Sequence, residues 1–410
     1  MKTPPNRVAV VALVLLVLAC IGVWWWTRAD GVGQDPNGTG AASADGREPK
    51  IGALDPQAVT STARAKPGTT SKAVEQCGKE IMVAIRERTR QLAVRDDAPS
   101  QLAFGLMAQF ATEEDQMKVA IADPGQWMKQ QRQVTQRALG RARELAPAHP
   151  DVAWLAAQHC FDGEECRGVQ QALLASEPDN MAAWLAAMSW ARARSDDVAL
   201  GQAFARAAKA THYDTHRGAT FQAVTEAYTG LPMPSSCKEA SVRAAMRKEM
   251  PGMRNFDAMT FVEMSALAGE NAQVISASAL GNMCDADQSA PISSMRRKDC
   301  IGIYTGMATG GTLVEESIAT SNLVRLTRDS TEGAAWRERY RNQQWMWSQI
   351  TVDRAAWEQL QVEDYVFGEV EALQEVLRTQ GRWPAPADWL PQDERARSLI
   401  LTGRPPESRR

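Results

Sequence analysis

Histidine is scarce in this sequence, with 4 in 410 residues, and no two of the 7 cysteines stand in C-x-x-C spacing. Structural zinc sites draw on those ligands at short spacings, so the chain has little with which to build one. Catalytic signatures are missing too: there is no G-x-S-x-G, no H-E-x-x-H, and no G-x-G-x-x-G opening a helix after a strand. Strand signals are thin, with no sustained alternation of apolar and polar residues and few β-branched runs; the one Asn-Gly pair, Asn37-Gly38, lies in a polar N-terminal stretch. An excess of positive charge is also lacking: 46 basic residues face 49 acidic ones, a formal net charge of −3. Nucleic acid requires a clustered basic face, so no nucleic-acid partner is expected. The basic tail TGRPPESRR is too short and Pro-rich to change that.

What is present begins with an apolar segment. Val8 to Trp26 carries no charge, and as a helix it would be roughly 28 Å long, close to the hydrocarbon thickness of a bilayer. Lys2 and Arg7 flank one end, and Trp24, Trp25 and Trp26 sit at the other, where indoles favour the interface. Positive charge stays inside, so residues 8–26 are expected to anchor the chain in a bacterial inner membrane, N-terminus cytoplasmic and body periplasmic. Two alternatives stand beside this one. A cleaved signal peptide would have a shorter apolar region and a small-residue cleavage site. VLAC, ending at Cys20, is loosely similar to a lipobox, but the apolar run continues through IGVWWW.

The cysteines suit an oxidising compartment. Besides Cys20, six remain, and an even number in an exported chain reads as disulfides. Cys160 and Cys166 flank the short stretch FDGEE, and Cys284 and Cys300 flank a polar loop containing Pro291. Cys77 and Cys237 pair by elimination only.

Residues 1–28 are read as the signal anchor and 29–72 as a flexible linker, since Gly, Ser, Thr, Pro and Asp there cannot bury enough surface to offset ordering entropy. From 73 onward the chain reads as all-α. Ser100 is a candidate N-cap for SQLAFGLMAQFAT, and DPGQWMKQQRQVTQRALGRARELAP begins at Asp123-Pro124 and stops before Pro147. Ala138, Ala172 and Ala203 occupy matching places in three successive segments, 34 and then 31 residues apart. HPDVAWLAA and EPDNMAAWLAA repeat a Pro-Asp turn leading into Trp-Leu-Ala-Ala. A period of this size, with two helices per unit, indicates a helical solenoid. On Trp184, Ala187, Ala191, Phe204 and Ala207, with Pro178 closing the preceding unit, the stretch from about Met181 to His212 resembles the tetratricopeptide repeat family. It departs from that family at Met188, Leu200 and His212. The resemblance covers about 70 residues and implies a fold, not a chemistry. It places Trp154 and Trp184 in the cores of helical hairpins.

The organisation expected is therefore a transmembrane helix, a disordered tether, a helical region with tetratricopeptide-like repeats over 73–216, a C-terminal helical region over 217–395, and a disordered tail over 396–410. In the C-terminal region Trp336, Tyr340 and Trp347 share one helical face, with Trp345 nearly opposite Trp347. The first face is assigned inward and Trp345 outward. Trp345, Tyr340 and Arg341 are the candidate interaction residues, because Trp, Tyr and Arg dominate binding hot spots; a closing cap is the alternative use of these aromatics.

Other candidate chemistry is weak. His212 and His216 in THYDTH lack a third ligand and are read as a solvated turn. GMATGGT, Gly306 to Thr312, has the gap of a phosphate loop but no Lys before Thr312, and is read as a glycine helix end. Glu316-Ser317 is similar to the catalytic dipeptide of soluble lytic transglycosylases, but no Gly-Leu-Met-Gln follows it. No catalytic residue, cofactor or metal is assigned. The function expected is a non-enzymatic scaffold binding another envelope protein or peptide; the alternative is an envelope enzyme whose site lacks local motifs.

Overall fold

The computed structural model describes residues 69–111, 122–160, 164–249, 259–263, 265–266, 278–285, 292–310, 312–352 and 368–406. The expected anchor at 8–26, the linker up to residue 68 and the last four residues lie outside the described residues. Among the described residues the structure is helical throughout, with no strand and one isolated backbone bridge between Asn180 and His212. No described helix is long and apolar enough to cross a membrane.

The first half contains α1 (Thr69–Ala93), α2 (Ala98–Met107), α3 (Pro124–Leu145), α4 (Pro150–Gln158), α5 (Glu164–Ser176), α6 (Met181–Ala193), α7 (Asp197–Ala207) and α8 (Ala219–Tyr228). A short 3-10 turn (Ser235–Lys238) follows. The second half contains α9 (Ala240–Glu249), α10 (Ser278–Cys284), α11 (Ser294–Met307), α12 (Leu313–Leu326), α13 (Gly333–Val352), α14 (Glu369–Thr379) and α15 (Glu394–Thr402). Helix ends follow the local chemistry. Asp123 caps α3 by accepting the Gln126 N–H at 3.0 Å, with Pro124 in the first turn, where its missing N–H costs nothing. At α2 the cap is Asp97, not Ser100: Asp97 Oδ1 accepts the Ser100 N–H at 2.9 Å and Ser100 is buried inside the helix. The helix therefore begins three residues earlier than a Ser100 cap would place it, and Ser100 supplies the N–H that the cap accepts.

The main core gathers residues of α3 to α7, α11 and α12, with Trp154, Leu155, Leu173, Met188 and Tyr304 fully buried. A second cluster joins α1, α2 and α8 around Ile81, Ile85 and Tyr228. The Tyr228 hydroxyl lies 2.5 Å from Thr89 Oγ1, which removes the penalty of burying a phenol. Two smaller clusters pack α12 and α13 against α14 and α15.

Three expectations change here. The repeat register breaks in its middle unit: Ala138 and Ala203 are buried, whereas Ala172 is exposed and Leu173 takes the inward place. The disordered tail expected over 396–410 is also corrected, because α15 is capped by Asp393 at one end and by left-handed Gly403 at the other. Its Ala396, Leu399 and Ile400, at helical spacing, pack against Val324 and Tyr340. The first helix also starts at Thr69, inside the stretch assigned to the linker.

Candidate functional site

The two repeated Pro-Asp turns converge on one histidine. Asp151 follows Pro150 in the first turn of α4; Glu177 precedes Pro178 in the turn before α6. Between them lies His216, its side chain only 9% exposed, Nδ1 2.8 Å from Asp151 Oδ1 and Nε2 2.7 Å from Glu177 Oε1. The second contact is a close ion pair without good hydrogen-bond alignment. Burial works to lower the His216 pKa, but the two carboxylates outweigh it and raise the value to about 9. In return, the hydrogen bond from His216 holds the Asp151 carboxyl below its ordinary value; for Glu177, burial opposes, yet His216 and Asn180 still bring it down. His216 adopts φ 49, a conformation uncommon for a side-chain-bearing residue, and its ring stacks at a tilt 5.3 Å from Trp154. The expected solvated turn is therefore a buried ionic joint at the His216 side chain, while Thr211, His212 and Asp214 stay exposed.

The surrounding backbone is fastened in the same way. Asn180 caps α6 by accepting the Ala182 N–H, accepts the Asp214 N–H at 3.0 Å, and donates to the Asp214 carbonyl at 2.7 Å. Met181 N–H donates to the His212 carbonyl at 2.8 Å. One residue on, the Tyr213 hydroxyl donates to Glu315 Oε1 at 2.6 Å. Thr312 and Glu315 form a capping pair at the start of α12: Glu315 N–H donates to Thr312 Oγ1, and that hydroxyl donates to Glu315 Oε2. Burial raises the pKa of Glu315, and Glu369 beside it adds to the rise against Tyr213, Thr312 and Arg217. Glu369 accepts the Leu313 N–H and lies 4.0 Å from Arg217. Glu316 is buried and accepts from Arg339 Nε at 2.7 Å.

The glycine run acquires a packing role from this. A Cβ on Gly306 would fall 2.8 Å from the Met181 sulfur, and one on Gly310 would fall 2.8 Å from both Glu315 Oε2 and the Tyr213 ring. Close approach, not phosphate, requires these glycines.

Beside this lies a cleft of about 550 Å³. Helix α6 packs closely on α7 but only lightly on α5, leaving a gap between α5 and α7 with α6 as its floor. Arg167 and Gln170 line it from α5, Trp184, Trp190 and Arg194 from α6 and its C-cap, and Gln202 from α7. Arg194 donates to Gln170 Oε1 at 3.0 Å, and Gln170 donates to the Cys160 carbonyl at 3.3 Å. The Trp184 indole N–H donates to the Pro178 carbonyl at 2.8 Å, fixing a ring that is half-exposed; Trp154, its counterpart in α4, is fully buried.

Cys160 joins Cys166, Cys284 joins Cys300, and Cys77 joins Cys237, with Cα separations of 5.2, 5.6 and 4.9 Å. These are the pairs expected from spacing and elimination. The first lies at the start of α5 and so steadies the helix carrying Arg167 and Gln170. The third ties α1 to the 3-10 turn across 160 residues.

Of the C-terminal interaction candidates, Tyr340 lies inward as its helical face was assigned, whereas Trp345 does not point freely outward. Tyr340 is buried against α15. Trp345, assigned outward, is half-buried: its indole N–H donates to the Arg382 carbonyl at 3.1 Å and its ring meets Trp389 edge-on at 5.1 Å. Arg341 donates to the Ala387 carbonyl at 2.7 Å. The segment after α14 folds back over this face of α13, which helical periodicity within α13 could not reveal. Trp347 is half-buried against the cluster of Leu313, Met346 and Leu373, so Trp345 and Trp347 are both partly covered, by different neighbours.

Among the described residues, no group of three or more His, Cys, Asp or Glu side chains is arranged to hold a metal ion. No protein-family model matches the chain, and no curated protein and no solved structure matches it.

Proposed function

We propose that this protein is a membrane-anchored scaffold of the bacterial envelope, whose helical, tetratricopeptide-like body in the periplasm binds another envelope protein or peptide. The anchor rests on the uncharged run of residues 8–26 with Lys2 and Arg7 before it. The oxidising compartment rests on three disulfides that consume every cysteine from Cys77 onward. The observation that carries the binding role is the cleft between α5 and α7: it is open, and it presents Trp and Arg side chains, the residue types that supply most interface energy. The buried carboxylates offer no comparable opening, because Glu315 and Glu316 are each 4% exposed and held by Tyr213 and Arg339.

Site-specific photo-crosslinking in intact cells tests this reading. A crosslinker at Gln171 or Gln202, on the two walls of the cleft, should trap one dominant partner. The same group at Val94, far along the chain and 84% exposed, should not. Equal or absent adducts at all three positions would remove the scaffold reading.

A further inference from the structure

Two guanidiniums line the cleft and a third stands beside it. Arg167 lies on α5, Arg194 at the C-cap of α6, and Arg206 on α7, its guanidinium 5.8 Å from the Trp184 ring centroid. All three residues are exposed. The one carboxylate in the lining, Asp196, is engaged within the fold, where its Oδ1 accepts the Ala199 N–H at 2.9 Å and caps α7. Its charge therefore faces a helix N-terminus, where the dipole compensates it. Asp197, next in the chain, opens the same helix. Apolar and mostly small side chains complete the lining, Leu174 from α5, Ala187 from the α6 floor and Ala203 from α7, beside Trp184 and Trp190. Gln171 and Gln202, both exposed, supply amide donors and acceptors for a peptide backbone, whereas Gln170 is engaged by Arg194 and the Cys160 carbonyl.

We infer that the cleft takes an acidic peptide segment, with carboxylates meeting Arg167, Arg194 and Arg206 and a bulky apolar side chain lying over the alanines beside Trp184. The inference rests on the scaffold reading and names the chemistry of its partner. Charge complementarity carries it: in a chain of net charge −3, a positive cleft is a local arrangement and not a general property of the surface. Guanidinium groups bind carboxylates in a planar, two-pronged geometry that lysine does not reproduce. The cleft lies between the second helices of two successive hairpins, and the Cys160–Cys166 bond holds one of its walls.

The test uses the full-length protein in nanodiscs and two fluorescein-labelled peptides of about a dozen residues. They share Leu and Phe positions; one carries Glu and the other Lys at every remaining charged position. Anisotropy should show the Glu peptide binding on the order of tenfold more tightly than the Lys peptide, with the difference shrinking as salt rises. The double variant Arg167→Glu, Arg206→Glu should reverse the preference. Arg167→Gln, Arg206→Gln should lose it without reversal, and thermal unfolding should show both variants folded. Equal affinity for the two peptides, no binding of either, or a preference untouched by both variants overturns the inference. If crosslinks from Gln202 still trap the same partner in the Arg167→Glu, Arg206→Glu variant, the scaffold stands and the acidic segment falls.

Discussion

Replacing His216 by asparagine should remove the ionic joint while leaving the backbone undisturbed, because asparagine tolerates the φ of 49 found there. The folded protein holds the imidazole with a pKa of about 9, against an ordinary value of 6.5. A histidine whose pKa is raised by folding stabilises the fold wherever it is protonated in both states. That contribution is complete below about pH 6.5 and disappears as pH climbs through 9. A shift of this size corresponds to about 3 kcal/mol at 1.36 kcal/mol per unit, and solvent around Asp151, 37% exposed, reduces it to roughly half to two-thirds of that. Asp151 and Glu177 act at the other end of the range. Their lowered pKa values contribute stability that is lost only as pH falls through their folded-state values. Glu315, Glu316 and Glu369 run opposite to these, since burial raises their pKa values and acidification favours their folded state. Thermal unfolding followed by circular dichroism, with disulfides intact, should therefore show the wild type losing a few degrees of Tm between pH 6.5 and 9.5. His216→Asn should start lower and stay flat over that window. A flat wild-type profile, or an equal slope in the variant, would show that the Asp151–His216–Glu177 contacts do not carry the coupling.

Gly310→Ala should destabilise by about 1–3 kcal/mol, because its Cβ displaces either the Tyr213 ring or the Glu315 carboxylate from their buried hydrogen bond. Gly302→Ala, on α11 with nothing within 4 Å of the added carbon, should instead stabilise by about 0.5–1 kcal/mol, and denaturant midpoints compare the two directly. Trp345→Ala should lower stability by about 2 kcal/mol by losing the Trp389 contact and the bond to Arg382, whereas Trp345→Phe should cost about half as much. A neutral Trp345→Ala would mean that the segment following α14 holds its place without that ring.

What could be read from the sequence was local. Asp123-Pro124 and Pro147 bracket α3 because capping and proline chemistry act within a few residues. The Cys160–Cys166 and Cys284–Cys300 bonds close short loops, so spacing alone pointed to them. The site depends on longer reach. His216 meets Asp151 across 65 residues and Tyr213 meets Glu315 across 102, distances over which periodicity carries no information. A hint was present nonetheless: acidic residues recur in both Pro-Asp turns, and a histidine followed by Arg217-Gly218 stands where a third helix start is due. Helix α15 was hidden for a different reason. The proline-rich end masks Asp393 as a cap and Ala396, Leu399 and Ile400 as an apolar stripe.

The two repeated phrases also explain why a cleft exists at all. HPDVAWLAA and EPDNMAAWLAA look equivalent, yet four positions separate proline from tryptophan in the first and six in the second. In α4 the helix starts on Pro150 itself, and Trp154 is its fifth residue. In α6 the extra residues provide Asn180 as a cap, the helix starts at Met181, and Trp184 is its fourth. One residue along a helix is a rotation of about 100°. Measured from the helix start, that offset parallels the difference between a fully buried Trp154 and a half-exposed Trp184 facing the gap. The same unevenness governs the turns: the first sends the Asp151 side chain to His216, whereas the second sends Glu177 and uses Asp179 only through its carbonyl, which accepts from Thr211 and His212. The departure from strict repetition, more than the repetition, leaves Trp184 facing the cleft on which the proposed binding role rests.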